Sequence, residues 1–304
     1  MIKKNWMKIT LTTITVLTLL ATFWYTKFAL KPYQVTPNQL AETYSYQVEN
    51  ANVTLTQLEN GHYAINYQSF DGENVNGQLV YPEHYDGSKP VPLLIGVHAM
   101  GRSYIRWLQD SFKNTDTIEQ TDELANMALA KGYAVLVIDA RNHGKRKNLD
   151  YNIKKVMYDL WFWGKREPYE TMIIDTVKDH RVLLDWVATQ PQFDQNEISV
   201  AGYSMGGQIS LILASLDTRI SKVLSIVPPA SSDNVARVSP LNFVKQLSAE
   251  KTWLVTADND QYANKQENIA LFNAIANTQK HHIVIQGEHE LPEGYYTQLE
   301  GWYE

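Results

Sequence analysis

Residues 198–207 read Ile198-Ser199-Val200-Ala201-Gly202-Tyr203-Ser204-Met205-Gly206-Gly207. The apolar, β-branched opening predicts a buried strand, and the stretch from Gly207 to Leu216 predicts a helix. The pentapeptide Gly202 to Gly206 falls at the junction of the two. A serine flanked in this way at a strand-to-helix turn has a mechanical meaning. The turn is sharp, strains the serine backbone and lifts Oγ above the sheet edge, where a reactant reaches it. A Cβ at Gly202 or Gly206 would crowd the turn or the neighbouring strand. Ser204 is the candidate nucleophile.

A serine nucleophile needs a base, and the base needs an orienting acid. On a strand–elbow–helix fold the chain order is serine, acid, histidine. Of the eight histidines, His281, His282 and His289 lie downstream with room for an acid-bearing strand between. His281 and His282 open the apolar run His282-Ile283-Val284-Ile285 and read as strand. His289 sits in Gln286-Gly287-Glu288-His289-Glu290, the loop beyond that strand, where open α/β sheets build their sites. It is the candidate base. The strand Thr252 to Thr256 runs out into Ala257-Asp258-Asn259-Asp260, so two carboxylates compete for the acid. Asp258 is barely past the strand and suited to bonding the turn's own amides. Asp260 lies further along the loop, better placed to reach across.

These residues resemble an α/β-hydrolase over roughly residues 50 to 300. Within that superfamily the chain is most similar to dienelactone-hydrolase and acetyl-xylan-esterase-like enzymes and to the catalytic domains of prolyl-oligopeptidase-type peptidases. Asp179 to Trp186 resembles their helix before the elbow, and Phe193 to Gly207 their nucleophile strand and turn. Asp139-Ala140-Arg141-Asn142-His143-Gly144 resembles their loop after the fourth strand. The resemblance implies Asp260 as acid, three residues after the small Ala257, and His289 as base, in a Gly-x-His pattern. It also implies an oxyanion hole made by the backbone N–H groups of Met205 and Met100. One departure stands out: the family's His-Gly after the third strand is His98-Ala99 here, and alanine does not readily take a positive φ. His98 itself reads as a structural histidine holding that loop, because its chain order is wrong for a base.

Composition narrows the field. A chain of 304 residues buries a generous core as one α/β domain. Net charge of −6 without a basic stripe argues against nucleic acid as partner. The absence of cysteine excludes disulfides and thiol nucleophiles. No metal-ligand pattern is visible, so no metal and no cofactor are expected.

The N-terminal residues 1–30 read differently. Lys3, Lys4 and Lys8 precede eighteen uncharged residues, Ile9 to Thr26, although seven of these are threonine. As a helix they would span about 27 Å, close to bilayer thickness. Trp24 and Tyr25 suit an interface, and the lysines predict a cytoplasmic N-terminus. The expectation is a single-pass anchor in the cell membrane with the catalytic domain outside the cytoplasm; a cleaved signal segment leaving a secreted or periplasmic protein is the competitor. Residues 31–50, with Pro32 and Pro37, read as a polar linker or stalk.

From Val53 onward, alternation predicts a hairpin (Val53–Thr56 and Tyr63–Tyr67) and a third strand at Gly77–Tyr81. Pro92–Val97, Tyr133–Ile138, Ile198–Ala201, Lys222–Val227, Thr252–Thr256 and His282–Ile285 read as strands buried on both faces. A helix falls over Thr121–Lys131. The expected architecture for 51–304 is an α/β-hydrolase fold: a mainly parallel sheet, antiparallel N-terminal strands, and helices on both faces. Residues 145–169 interrupt it with Tyr151, Tyr158, Trp161, Phe162, Trp163 and Tyr169. They are read as a lid insertion shaping the substrate pocket or as a small satellite core. Trp107 is open between cleft and core. The function expected is hydrolysis of a small carboxylic ester through a Ser-His-Asp triad and an acyl-enzyme, with no protein partner implied. A peptidase or amidase with the same triad, and a silent binding protein on this scaffold, are the rivals.

Overall fold

The computed structural model describes residues 2–48, 50–277 and 279–304. Among them, nine strands form one sheet: β1 (Thr54–Glu59), β2 (His62–Gln68), β3 (Asn74–Val80), β4 (Val91–Val97), β5 (Ala134–Ile138), β6 (Phe193–Tyr203), β7 (Lys222–Ile226), β8 (Lys251–Ala257) and β9 (Lys280–Ile285). Their spatial order is β1-β2-β3-β5-β4-β6-β7-β8-β9. The first three join antiparallel, and β3 meets β5 antiparallel. Every pairing from β5 across to β9 is parallel.

Parallel strands covered on both faces need apolar residues at successive positions, which is what β4 and β5 supply. Leu93, Ile95 and Val97 point into one core and Leu94 into the other; in β5, Leu136 and Ile138 oppose Val135 and Val137. On the first face lie α5 (Glu167–Val187) and α6 (Met205–Leu216), whose buried residues join that core. On the second lie α3 (Thr121–Ala130) and the short helical segment Tyr295–Trp302. Trp107 belongs to this second core: it is fully buried and lies against Gly96, where a Cβ would come within 2.5 Å of its ring.

The N-terminal expectation of a membrane anchor is corrected. Residues Ile2–Lys27 do form a helix, α1, but no helix among the described residues is long and apolar enough to cross a membrane. Seven threonines interrupt the apolar run, and the hydroxyls of Thr10, Thr15 and Thr18 turn back onto helix carbonyls at 2.9 Å. The side chains of Lys3, Lys4 and Lys8 lie outside the described part of the structure. The far end of α1 packs on protein. Trp24 Nε1 donates to the Phe162 carbonyl at 2.8 Å, and Phe28 meets Trp163 edge-on at 4.9 Å.

Within residues 31–50, read from composition as a linker or stalk, one helix and two buried side chains rest on the protein. Pro37 opens helix α2 (Pro37–Thr43), where a missing N–H costs nothing, behind a capping box of Thr36 and Gln39. Leu40 and Tyr44 are buried in the first core, and Tyr44 Oη donates to the Arg237 carbonyl at 3.0 Å.

Candidate active site

Ser204 stands between β6 and α6 at φ 55°, ψ −117°. A side-chain-bearing residue takes that conformation only where its surroundings impose it. The imposing contacts are two glycines. A Cβ on Gly202 would sit 2.2 Å from the Gly206 backbone, and one on Gly206 would sit 2.0 Å from the Val97 carbonyl oxygen. With both absent, α6 starts directly against β4 and β6. Met205 is the first residue of α6, so its N–H belongs to the donors that a helix leaves unpaired.

The structure brings Ser204, His289 and Asp260 together. His289 Nε2 lies 2.8 Å from Ser204 Oγ, and Nδ1 lies 3.0 and 2.9 Å from the two Asp260 oxygens. The tautomer satisfying both carries its proton on Nδ1, donating to the carboxylate, and accepts the serine hydroxyl at Nε2. Both partners are shielded: the Asp260 side chain is 1% exposed and that of His289 10%. Asp258 goes elsewhere. It is exposed, and its carboxylate accepts the Gly287 N–H at 2.9 Å, tying the loop after β8 to the loop after β9.

Three neighbours of this group carried no signal in the sequence beyond their residue types. Tyr203 Oη donates to the His289 carbonyl at 2.7 Å and accepts the Leu291 N–H at 3.0 Å. The Tyr262 ring packs edge-on against the imidazole at 4.6 Å, and its N–H donates to Asp260 Oδ1 at 2.7 Å. Gln261 Oε1 accepts the His289 N–H at 3.4 Å. Tyr203 was visible only as the variable second letter of the pentapeptide.

The loop after β4 brings Met100 to the same cavity as Ser204 and Met205. Its path accommodates alanine without strain, because Ala99 keeps a negative φ and the left-handed turn falls on Gly101, at φ 78°. His98 pins this loop. Its Nδ1 donates to the Ala99 carbonyl at 2.8 Å while Nε2 accepts the Ala140 N–H at 3.0 Å. Burial, with His143 alongside, drops the His98 imidazole to about 3, so it stays neutral in that role. The loop after β5 is held by charge. Arg141 is bound by Asp179 at 2.7 and 2.8 Å and by Asp71 at 2.6 and 3.0 Å.

A cavity of about 650 Å³ opens over Ser204 and His289. One wall comes from helix α4 (Ile153–Trp163), inside the stretch read as a lid insertion, and another from the loop after β7. Asn152 caps the start of α4 by accepting the Lys155 N–H, and Gly164 ends it in the left-handed conformation. Of the aromatics in 145–169, Trp161 and Tyr169 line the cavity.

Sheet order, elbow and cavity together define an α/β-hydrolase of the serine carboxylesterase type. The chain belongs to the acetyl xylan esterase (AXE1) family, whose model matches residues 35–250. Among solved structures it is similar to acetyl xylan esterase 1 of Thermoanaerobacterium sp. JW/SL YS485, with a TM-score of 0.69 and 15% identity over 90% of this chain and 95% of that one. It is also similar to an acetyl xylan esterase of Paenibacillus sp. R4, with a TM-score of 0.65 and 17% identity over 91% and 96% of the two chains. At such identities the likeness shows the fold. A sequence relative, YtaP of Bacillus subtilis (strain 168), is named as a hydrolase and is 27% identical over 57% of this chain. The match spans about half of that relative's length, 51%.

Proposed function

We propose that this protein hydrolyses small carboxylic esters through a covalent acyl-enzyme on Ser204. The observation that carries the reading is the unbroken chain of hydrogen bonds from Ser204 Oγ through His289 to Asp260. Ser204 Oγ attacks the acyl carbon as His289 Nε2 takes its proton, and Asp260 holds the imidazole's orientation and stabilises the imidazolium. The N–H groups of Met205 and Met100 receive the developing oxyanion, each such donor being worth roughly 3 kcal/mol in comparable sites. The tetrahedral intermediate collapses, the alcohol leaves with the proton from His289, and the acyl group stays on Ser204. Water then attacks the acyl carbon as the same nitrogen takes its proton, and collapse of this second intermediate breaks the acyl–Oγ bond, returns that proton to Ser204 Oγ and releases the acid.

The neighbours support this division of labour. Tyr262 and Tyr203 restrict the imidazole and its loop, so His289 is oriented before any substrate arrives. The test is labelling with a fluorophosphonate probe beside turnover of p-nitrophenyl acetate. Labelling at Ser204 is expected, and Ser204→Ala should retain its fold while kcat falls by roughly a millionfold. A Ser204→Ala protein of near-normal rate ends the proposal.

A further inference from the structure

We propose that the ion pair of Arg102 with Glu119 positions the oxyanion hole, by fixing the loop tip that carries the Met100 N–H; this rests on the acyl-enzyme reading above. The chain from Ala99 to Arg102 is a tight turn. The Arg102 N–H donates to the Ala99 carbonyl at 3.2 Å, and Gly101 takes the third place at φ 78°. Met100 sits at the apex, in the cavity it shares with Ser204. Among the described residues nothing accepts the Met100 N–H, which leaves the donor free for a reactant.

A free donor at a loop apex has its direction set from outside the turn. His98 acts from one end, its Nδ1 donating to the same Ala99 carbonyl at 2.8 Å. At the other end, Arg102 Nε donates to Glu119 Oε1. The Glu119 side chain is 7% exposed, and its second oxygen is buried without a hydrogen-bond partner among the described residues. Parting the pair would leave that buried charge uncompensated, so the arginine is held more strictly than in a surface pair. Glu119 is anchored in turn to the chain beyond the His289 loop. Its carbonyl accepts the Tyr295 hydroxyl at 2.9 Å, and Oε1 of neighbouring Gln120 accepts the Gly294 N–H at 2.7 Å. One frame therefore carries both the oxyanion donor and the base. Orientation held in advance is what a site for a transient charge requires.

Both residues also border the cavity, and kinetics separate positioning from direct contact with substrate. The experiment measures kcat and KM for p-nitrophenyl acetate, and the affinity for an aryl trifluoromethyl ketone, whose adduct with Ser204 presents an oxyanion. The proteins are the full chain as wild type, Arg102→Ala, Glu119→Ala, Glu119→Gln and the double variant Arg102→Ala/Glu119→Ala. Each single alanine variant should lower kcat roughly tenfold or more with KM within about twofold, because the oxyanion forms only in the transition state. Ketone affinity should fall by the same factor. The double variant should be no slower than the slower single, as expected of two residues acting as one unit. Glu119→Gln keeps an acceptor for Arg102 Nε and should stay within about threefold of wild type. The double variant leaves no buried charge unpaired, so it decides the matter if Arg102→Ala does not fold. A folded double variant of wild-type kcat, losses that multiply in it, or a raised KM at unchanged kcat overturns the inference and leaves the triad reading intact. A wild type that neither takes the fluorophosphonate label nor turns over acetate overturns both.

Discussion

The phenol of Tyr203 bonds the carbonyl of His289 and the N–H of Leu291, so the residue immediately before Ser204 holds the loop that carries its partner histidine. Nucleophile and base are 85 residues apart in the chain, yet the elbow positions both. Burial pushes the Tyr203 phenol well above its ordinary ionisation range, which keeps the hydroxyl protonated and able to donate.

Removing that hydroxyl separates positioning from folding. Tyr203→Phe leaves a buried carbonyl and a buried N–H without their partner, at a cost of about 1–3 kcal/mol. We expect kcat on p-nitrophenyl acetate to fall roughly tenfold as the imidazole loses its alignment. Stopped-flow kinetics and urea melts on the same preparation would show it; an unchanged kcat alongside a lowered midpoint would reduce Tyr203 to a purely structural part.

The two loop carboxylates should behave differently. Asp260→Asn replaces the acceptor facing His289 Nδ1 and should lower kcat by roughly ten-thousandfold, as it does where the same role is filled elsewhere. Asp258→Asn keeps an oxygen able to accept the Gly287 N–H, so its effect should stay within about threefold. Steady-state rates for the pair decide, and a reversed order would move the acid to Asp258.

Gly206 is expected to tolerate no side chain. Gly206→Ala drives a methyl to within 2.0 Å of a backbone oxygen in β4, an atom that cannot swing aside. The loss should be about 3 kcal/mol or more, and fluorophosphonate labelling should fall with it as the elbow opens. Wild-type stability in a denaturant melt of this variant would show that α6 can shift at little cost.

Acid should weaken the fold through its buried histidines. Burial lowers the imidazoles of His98, His143 and His180, the first to about 3. The unfolded chain, with ordinary values near 6.5, takes up protons that the folded chain refuses below that pH. Stability is therefore fully present above about pH 6.5 and declines as pH falls towards about 3, by up to about 1.4 kcal/mol per unit for His98. Urea midpoints compared at about pH 7.5 and about pH 5 should drop on the acid side; equal midpoints would mean that these rings protonate without unfolding.

Much of this was readable from residues in a row. The strands of the parallel region announce themselves as short apolar runs because both faces are covered, and Leu93 to Val97 divides between the two cores as that pattern requires. The place of β5 between β3 and β4 was not readable, since crossover order leaves no mark on either strand. The N-terminal run misled for a definable reason. Length and lack of charge suggested an anchor, but no helix among the described residues is long and apolar enough to cross a membrane, and the contacts of Trp24 and Phe28 with α4 are long-range. Proline at position 37 suggested irregular chain where it opens α2, because proline breaks a helix interior but suits its first turn.

By itself the sequence determined the strand–turn–helix around Ser204, through two positions where only hydrogen fits, and the sequence order in which serine, acid and histidine arrive. Sequence favoured Asp260 over Asp258 as the partner of His289, but tertiary structure alone decided that Tyr203 holds the loop and that α4 walls the cavity. The physical reason is range. Backbone sterics and burial pattern act between near neighbours and are written locally, whereas a hydrogen bond between distant loops exists only once the sheet has set their separation.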